Sequence, residues 1–244
     1  MSMKLEEFYH LHKNKSYIHP DITGVENILF NDLCIPYVSL DINGPWKEML
    51  REAKLLDCMY VKHRDDGQSK GWASLCVHGL GAQKTDDHNS YPEYSKYKNL
   101  EDLPYKWTEI AQNCPVTVDY FKNVFPFEKY YRLRFMRLDP GGFIAPHNDG
   151  SNHKLFVCNI SLNNPDGCEM ILENIGVIPF KDEGGAIAFN NSHNHIVWNQ
   201  SSQARYHIIV HGKWNNTYTQ LVRDSYPINN SLIVTSSFTG TTII

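Results

Sequence analysis

The second half of the chain alternates between short apolar runs and groups of turn-forming residues. From residue 129 onward the turn signals include 139–142, 165–167 and 183–185, each rich in glycine or proline beside a polar residue. The runs between these signals predict about eight strands, at 130–138, 143–146, 154–162, 168–172, 175–180, 186–189, 193–198 and 205–214. Short strands at regular spacing are typical of a sandwich or barrel, and eight of them suit a jelly roll.

The first half of the chain has a mixed pattern. Residues 45–56 carry apolar side chains at steps of three and four, which predicts a helix, and residues 72–78 read as a strand. Residues 86–98 are polar and rich in Tyr and Ser, which predicts an exposed loop. Residues 103–125 read as two helices divided at Pro115, because proline cannot continue a helix interior.

These elements predict a mainly β protein with flanking helices. We expect one overall domain in which residues 1–127 form a mixed extension packed on a core at 128–216, followed by a tail at 217–244. The tail is polar and then β-branched. Val234, Thr235 and residues 241–244 could add an edge strand or belong to a loosely packed terminus.

Composition narrows the class of protein further. The net charge is −4, so there is no global basic field to attract nucleic acid, which disfavours a nucleic-acid partner. The six cysteines are scattered without a CxxC pair, and we interpret them as reduced thiols of a cytoplasmic protein. We expect no membrane association, because the beginning of the sequence lacks the apolar segment of a signal peptide and no apolar run is long enough to span a bilayer.

The most informative short motif is His147-Asn-Asp149. Side chains two positions apart on a strand project to the same side, so an imidazole and a carboxylate could bind one metal ion together. Two histidines and one carboxylate on one face of an octahedron leave three positions open, an arrangement diagnostic of non-haem iron(II) oxygenases. The third ligand must come from elsewhere, and the segment 189–199 offers His193 and His195 on one predicted strand face.

An arginine follows this segment at the head of an apolar strand. Arg205 lies ten positions after His195, and a guanidinium inside a β core is costly unless it meets an anion. Its planar fork suits a carboxylate in bidentate geometry. The chain therefore presents His-x-Asp, a long gap, His, a short gap and then Arg.

The stretch from about residue 132 to 214 resembles the aspartyl/asparaginyl β-hydroxylase branch of the 2-oxoglutarate and iron(II)-dependent dioxygenases. The matching words are LDPGGFIAPHND at 138–149, FNNSHNHIVWN at 189–199, and Arg205. The resemblance implies a double-stranded β-helix, which is a jelly-roll form and agrees with the strands predicted above. It also implies His147, Asp149 and His195 as iron ligands, with His193 as the rival for the third place, and Arg205 as the partner of the distal carboxylate of 2-oxoglutarate.

The chain departs from this branch where a second arginine and a histidine often hold the other carboxylate of the cosubstrate. Phe156 and Cys158 fill those places, and neither can replace a cation. The available substitutes are Arg134, Lys154, Asn159 and His207. Arg134 ranks first, because it aligns near a basic position of the branch on the preceding strand.

The function implied is hydroxylation at carbon, with O2 as co-reactant and release of succinate and CO2. The substrate stays open between an amino acid, a peptidyl side chain and a small metabolite, and desaturation and cyclisation use the same kind of site. One alternative is a non-catalytic, cupin-like module that binds a metal or ligand, since a jelly roll does not itself imply catalysis. Another is a zinc-dependent hydrolase, since zinc also accepts two histidines and a carboxylate.

Several other side chains receive structural interpretations. We expect four histidines to be solvated and four aromatic residues to lie in the core. His78 could line the substrate pocket or be a structural histidine. The solvated set is His10, His12, His19 and His63, and the core set is Phe135, Phe143, Trp198 and Trp214.

Overall fold

The computed structural model describes residues 4–20, 35–64, 67–150 and 157–236, with side chains as far as residue 227. The helices are α1 Leu5–His12, α2 Trp46–Leu55, α3 Pro115–Asn123 and α4 Asn216–Ser236. The strands are β1 Tyr37–Leu40, β2 Val61–Lys62, β3 Ser69–Gly79, β4 Lys106–Trp107, β5 Phe127–His147, β6 Val157–Asn163, β7 Cys168–Leu172, β8 Gly176–Val177, β9 Gly185–Phe189, β10 His195–Asn199 and β11 Arg205–Trp214.

The described strands form one curled antiparallel sheet. Its path runs β1-β9-β6-β11-β5-β10-β7-β8, and β3 pairs with β5 while β2 and β4 pair with β3. This order interleaves distant strands as a double-stranded β-helix does, so the predicted mainly β fold with flanking helices is confirmed. Strands from both halves of the chain share the sheet, because β1 pairs with β9 and β3 pairs with β5.

Strand β5 pairs with different strands along its length. Its first part pairs with β11 as far as Leu138, and its last part pairs with β10 from Phe143 to His147. The predicted turn at 139–142 is therefore wrong as a chain reversal, and it is instead a bend within one long strand. Gly141 has φ 68°, and a Cβ on Gly142 would lie 2.8 Å from the carbonyl oxygens of Asp139 and Lys70. Glycine is required at this bend because no larger residue fits beside those carbonyls.

Alternation along β5, β6 and β11 separates a core under the helices from an inner cavity. Leu133, Phe135, Ile160 and Ile208 pack in the cluster that also contains side chains of α2, α3 and α4. The alternate positions of the same strands line the cavity instead; they are Arg132, Arg134, Met136, Asn159, Arg205, His207, Ile209 and His211. The period-two pattern thus places the polar residues of these strands together on one side of the sheet.

The helices follow the sequence predictions in part. Helix α2 agrees with the prediction at 45–56, and its buried Glu52 accepts hydrogen bonds from the backbone N–H groups of Val116 and Thr117 at the start of α3. Between 103 and 125 only the segment from Pro115 is an α-helix, and 109–113 forms a 3-10 helix.

The C-terminal tail differs from its prediction. The edge strand proposed for Val234 and Thr235 is wrong, because helix α4 includes both positions, and residues 241–244 lie outside the described residues. Tyr218, Val222 and Tyr226 of α4 pack in the helix-side core. Of the helices in the described ranges, none combines the length and apolarity needed to cross a membrane.

Three of the four histidines expected to be solvated are buried, and only His10 is exposed. His12, His19 and His63 are 6%, 4% and 5% exposed. Local polarity predicted solvent contact, but the ring of His12 packs tilted against Phe8, and the rings of His19 and His63 pack edge-on against Tyr37 and Trp72. Of the expected core aromatics, Phe135 is fully buried, whereas Phe143, Trp198 and Trp214 are half-buried.

The buried histidines predict a loss of stability in mild acid. Burial lowers the pKa of His19 to about 4, of His63 to about 2 and of His78 to about 4. The unfolded chain binds protons at these side chains below about pH 6.5, whereas the folded chain does not until the lower pKa values are reached. We expect the free energy of unfolding to fall from pH 6.5 to pH 4, by up to about 1.4 kcal/mol per pH unit for each histidine.

Urea unfolding at pH 7.5, 6 and 5 measures this slope. His19→Gln should reduce the slope, and His10→Gln, at an exposed position on α1, should leave it unchanged. An unfolding free energy that is constant between pH 7.5 and pH 5 would contradict the prediction.

Candidate metal and cosubstrate site

Two histidines and an aspartate meet where β5 and β10 pair. His147 ends β5, His195 opens β10, and the two residues are direct cross-strand partners with ring centroids 4.3 Å apart. Asp149 follows β5, and its Oδ1 lies 3.8 Å from Nε2 of His147. One potential ligand atom from each of the three residues lies within 4.8 Å of the others, so they could hold one metal ion.

Hydrogen bonds fix the orientation of both imidazoles. Nδ1 of His147 donates to the carbonyl of Ala145 at 2.8 Å, and Nδ1 of His195 donates to the carbonyl of His193 at 2.8 Å. Because Nδ1 carries the proton in each ring, Nε2 has a lone pair to offer a metal, which is the arrangement common to metal-binding histidines. Burial first, and then the neighbouring His147, lowers the pKa of His195 below its usual value, which favours the neutral ring that binds a metal.

His193 occupies a different place from the one its spacing predicted. It lies in the turn before β10, so it does not share a strand face with His195. It is outside the group of three residues that the described part of the chain brings together. Its carbonyl instead orients the ring of His195.

Two asparagines of the 189–199 motif shape the site. Oδ1 of Asn190 accepts from the N–H and the hydroxyl of Ser192, which closes the turn that leads to His195. Asn199 is fully buried, and its Nδ2 donates to the carbonyls of Leu138 and Asp139 at 3.0 and 3.1 Å. This side chain therefore ties β10 to the bend of β5 that positions His147.

A cavity of about 720 Å³ extends from the three residues into the fold. Ligand-binding pockets usually measure roughly 300–1,000 Å³, so it can contain a small cosubstrate and part of a second molecule. Part of its lining is apolar and belongs to one buried hydrophobic cluster, which includes Val157, Met170, Phe189 and Val197. Charged and aromatic side chains also line it, among them Arg64, Trp72, Asp86, Tyr105, Tyr131 and Arg132.

Arg205 is a buried residue of the cavity lining. It is 6% exposed, and its guanidinium lies 5.5 Å from the ring centre of Phe180. Its Nε donates to Nε2 of His207 at 2.8 Å, while Nδ1 of His207 donates to Oδ1 of Asn159 at 2.7 Å. Nη2 of Arg205 also lies 2.8 Å from that Nδ1, but we read this as a contact, because Nδ1 already carries the proton given to Asn159. His207 is thus a neutral residue that orients Arg205, and the guanidinium has a neutral partner in a place that favours an anion.

Arg134 forms a second buried cationic group. It is 6% exposed, and its Nη1 donates to the carbonyl of Thr85 at 2.7 Å. Burial lowers the pKa of Arg134 to about 9, which leaves the group charged at neutral pH. The register places it opposite Ile209, four positions along β11 from Arg205.

The structure places the remaining candidates as follows. Cys158 packs in the helix-side core, so it faces away from the cavity, and its neighbour Asn159 lines the cavity instead. Phe156 and Lys154 lie outside the described residues. Sequence reasoning missed Arg64, whose Nη2 is 3.9 Å from Oδ1 of Asp149. It stands in a polar loop 85 positions before Asp149, and no local pattern in the sequence connects the two.

A double-stranded β-helix with two histidines and a carboxylate gathered in its cavity is the arrangement typical of non-haem iron(II) oxygenases. A sequence model of the family described as aspartyl/asparaginyl beta-hydroxylase matches residues 45–213, and the chain belongs to that family. The protein is therefore an enzyme of the hydroxylase kind, and the family together with the site implies iron(II) and 2-oxoglutarate. No curated protein sequence shows significant similarity to the chain.

Solved structures with a similar chain path are distant in sequence. A prolyl-4-hydroxylase from Pseudomonas putida is 12% identical with a TM-score of 0.43, and the match covers 76% of this chain and 97% of that one. A 2OG-Fe(II) oxygenase family oxidoreductase from Burkholderia pseudomallei is 14% identical with a TM-score of 0.37, covering 67% and 80%. A Trichoplax adhaerens prolyl hydroxylase, in complex with a hypoxia inducible factor peptide fragment, is 12% identical with a TM-score of 0.41, covering 83% and 91%. The family assignment rests on the sequence-model match.

Proposed function

We propose that this dioxygenase uses His147, Asp149 and His195 to bind iron(II) and hydroxylates a carbon of an amino acid, a peptidyl side chain or a small metabolite. The observation that carries the proposal is the convergence of these three side chains with both imidazoles presenting Nε2. When bound, iron(II) and 2-oxoglutarate supply the oxidative chemistry, in which O2 is consumed, 2-oxoglutarate becomes succinate and CO2, and the substrate gains a hydroxyl group. The difficult chemistry belongs to the metal and cosubstrate, and the protein contributes position and shelter.

Arg205 is the proposed partner of the distal carboxylate of 2-oxoglutarate. The guanidinium is buried, it lines the same cavity as the three proposed ligands, and only the neutral His207 hydrogen-bonds to it among the described residues. A buried arginine fork with no acid partner is suited to bidentate binding of a carboxylate. His207 and Asn159 support this geometry by orienting the guanidinium.

The organisation and setting of the enzyme are also proposals. Residues 128–216 form the catalytic core, 1–127 form an extension on it, and 217–244 form a tail. A cytoplasmic setting agrees with the five described cysteines, all of which are unpaired. A small-molecule or peptidyl substrate agrees with the size of the cavity, and the net charge of −4 disfavours nucleic acid.

A substrate screen tests the proposed reaction. The iron-loaded enzyme should release succinate above its uncoupled background with one member of a panel of free amino acids, Asp- and Asn-containing peptides and single-stranded nucleic acid. That substrate should gain the mass of one oxygen atom. Stimulation by nucleic acid alone would contradict the substrate class but retain the enzyme class.

The same screen contains its own control for binding without catalysis. The His147→Ala protein should release no succinate with the substrate that stimulates the wild type. If no member of the panel stimulates turnover and 2-oxoglutarate does not bind, the non-catalytic binding module is the better account.

A further inference from the structure

Arg134 has no negatively charged partner among the described residues, although it is almost fully buried. Its Nη1 donates to the carbonyl of Thr85 and lies 3.4 Å from Nε2 of His63, while its Nε has no hydrogen-bond partner in the described part of the chain. Burying a guanidinium with neutral partners alone is costly, so the site is favourable for an anion that arrives from outside the protein.

His63 is a neutral neighbour of the Arg134 guanidinium. Its Nδ1 is 2.7 Å from the hydroxyl of Ser74 and 3.4 Å from that of Thr85. The ring is neutral at physiological pH, because burial and the nearby arginines lower its pKa to about 2. His63 and Thr85 therefore hold the guanidinium in place without neutralising it.

Arg134 and Arg205 form two separate cationic sites in one cavity. Both line the cavity, but their register positions are four residues apart along the same ladder, which is about 13 Å of strand. Their side chains also turn to different neighbours, since Arg205 bonds His207 of its own strand and Arg134 bonds Thr85 of the N-terminal half. A single 2-oxoglutarate bound at Arg205 thus leaves Arg134 available to another anion.

The surroundings of Arg134 strengthen this preference for an anion. Arg132 and Arg64 both act on the pKa of Arg134 as like charges, whereas the carboxylate of Asp149 acts in the opposite direction. Asp149 is a proposed metal ligand. Arg64 lies 4.0 Å from Asp86 and 3.9 Å from Asp149, so its guanidinium is close to both carboxylates. With Asp149 committed to a divalent metal, the described lining near Arg134 has three arginines, Arg64, Arg132 and Arg134, against two remaining carboxylates, Asp86 and Asp87.

We propose that Arg134, with Arg132 beside it, binds a carboxylate of the substrate, so that the molecule hydroxylated by this enzyme carries a free carboxylate. The inference rests on the proposed function and assigns Arg134 to the substrate instead of to the second carboxylate of 2-oxoglutarate. The carboxylate has two chemical sources, the α-carboxylate of a free amino acid and the side chain of an aspartyl residue in a peptide.

Paired probes distinguish these sources by calorimetric titration into anaerobic protein loaded with iron(II) and 2-oxoglutarate. Each free L-amino acid is compared with its α-amide, and acetyl-Gly-Asp-Gly-amide is compared with its Asn twin. We expect a carboxylate probe to bind the wild type at least about 10-fold more tightly than its neutral twin, because one charge-assisted hydrogen bond contributes about that much to the affinity. Whether that probe is a free amino acid or the aspartyl peptide identifies the source.

The variants assign this preference to Arg134. Arg134→Gln should weaken the carboxylate probe at least about 10-fold while leaving the neutral twin unchanged, and Arg134→Lys should fall between. Arg137→Gln is the matched control, because Arg137 lies on the same strand but pairs with Asp57 and Asp139 outside the cavity. Thermal melts establish that each variant is folded, and the lysine variant keeps the test valid if the glutamine variant is not.

The titration of 2-oxoglutarate separates this inference from the proposed function. Arg134→Gln should bind 2-oxoglutarate as wild type does, and Arg205→Ala should not. The assignment is overturned if Arg134→Gln weakens 2-oxoglutarate as much as Arg205→Ala, if neutral twins bind as tightly as carboxylates, or if no carboxylate probe binds. A wild-type protein that does not bind 2-oxoglutarate overturns the proposed function and this assignment with it.

Discussion

Replacing His195 by alanine should remove iron(II) from the protein, and His147→Ala and Asp149→Ala should do the same. Each change deletes one of three side chains whose ligand atoms lie within 4.8 Å of one another. The loss of affinity should exceed the roughly 10- to 100-fold that is typical when only an outer-shell partner of a metal ligand is removed. Iron bound per purified protein after dialysis measures it, with circular dichroism to establish that each variant is folded.

His193→Ala is the matched control for this series. His193 lies two positions before His195, but it supports that ring through its backbone carbonyl, which the substitution retains. We therefore expect near wild-type iron content. Iron loss in His193→Ala together with normal iron in His195→Ala would show that the third ligand is assigned to the wrong histidine. Normal iron content in all four variants would show that these residues do not form the metal site.

Arg205→Ala should weaken 2-oxoglutarate binding by about 10- to 150-fold, because a hydrogen bond to a charged group contributes about 1.5–3 kcal/mol. The bound iron should be unchanged, since Arg205 is not one of the three proposed ligands. Titration of 2-oxoglutarate into iron-loaded protein gives both quantities in one preparation.

Arg137→Ala is the control for the loss of a positive charge. Arg137 pairs across the ladder with Tyr206, next to Arg205, but its partners Asp57 and Asp139 lie outside the cavity. The Arg137→Ala protein should bind 2-oxoglutarate as the wild type does. Equal affinity for 2-oxoglutarate in the wild type and Arg205→Ala would show that Arg205 does not bind the cosubstrate.

The strands of the core were predictable because turn-forming residues separate short apolar runs, and in β11 the apolar Tyr206, Ile208 and Val210 recur at every second position. The bend in β5 was not, because Asp-Pro-Gly-Gly is a strong reversal signal when read locally. Whether such a segment reverses or bends depends on its partners, and here Asn199 and β3 hold it on both sides. Helix α4 was also missed, because β-branched residues favour strands unless tertiary packing overrides them, as the buried Tyr218 and Tyr226 do.

The proposed metal site was predictable in outline because its residues occur in two short sequence motifs, at 147–149 and 189–199. Its surroundings were not. His63, Arg64 and Thr85 reach the cavity from the N-terminal half, and their contacts depend on how β2 and β3 pair with β5. The prediction that His63 is solvated was wrong for the same reason, because local polarity does not report burial against a distant strand.

Oxygen consumption that requires 2-oxoglutarate tests the central claim most directly. The iron-loaded wild-type protein should consume O2 and form succinate only when 2-oxoglutarate is present, even in the slow uncoupled reaction without substrate, and His147→Ala should do neither. A structural-metal binding module or a zinc hydrolase would consume no O2 under these conditions. Iron-loaded wild-type protein that binds no 2-oxoglutarate and consumes no O2 would contradict the account.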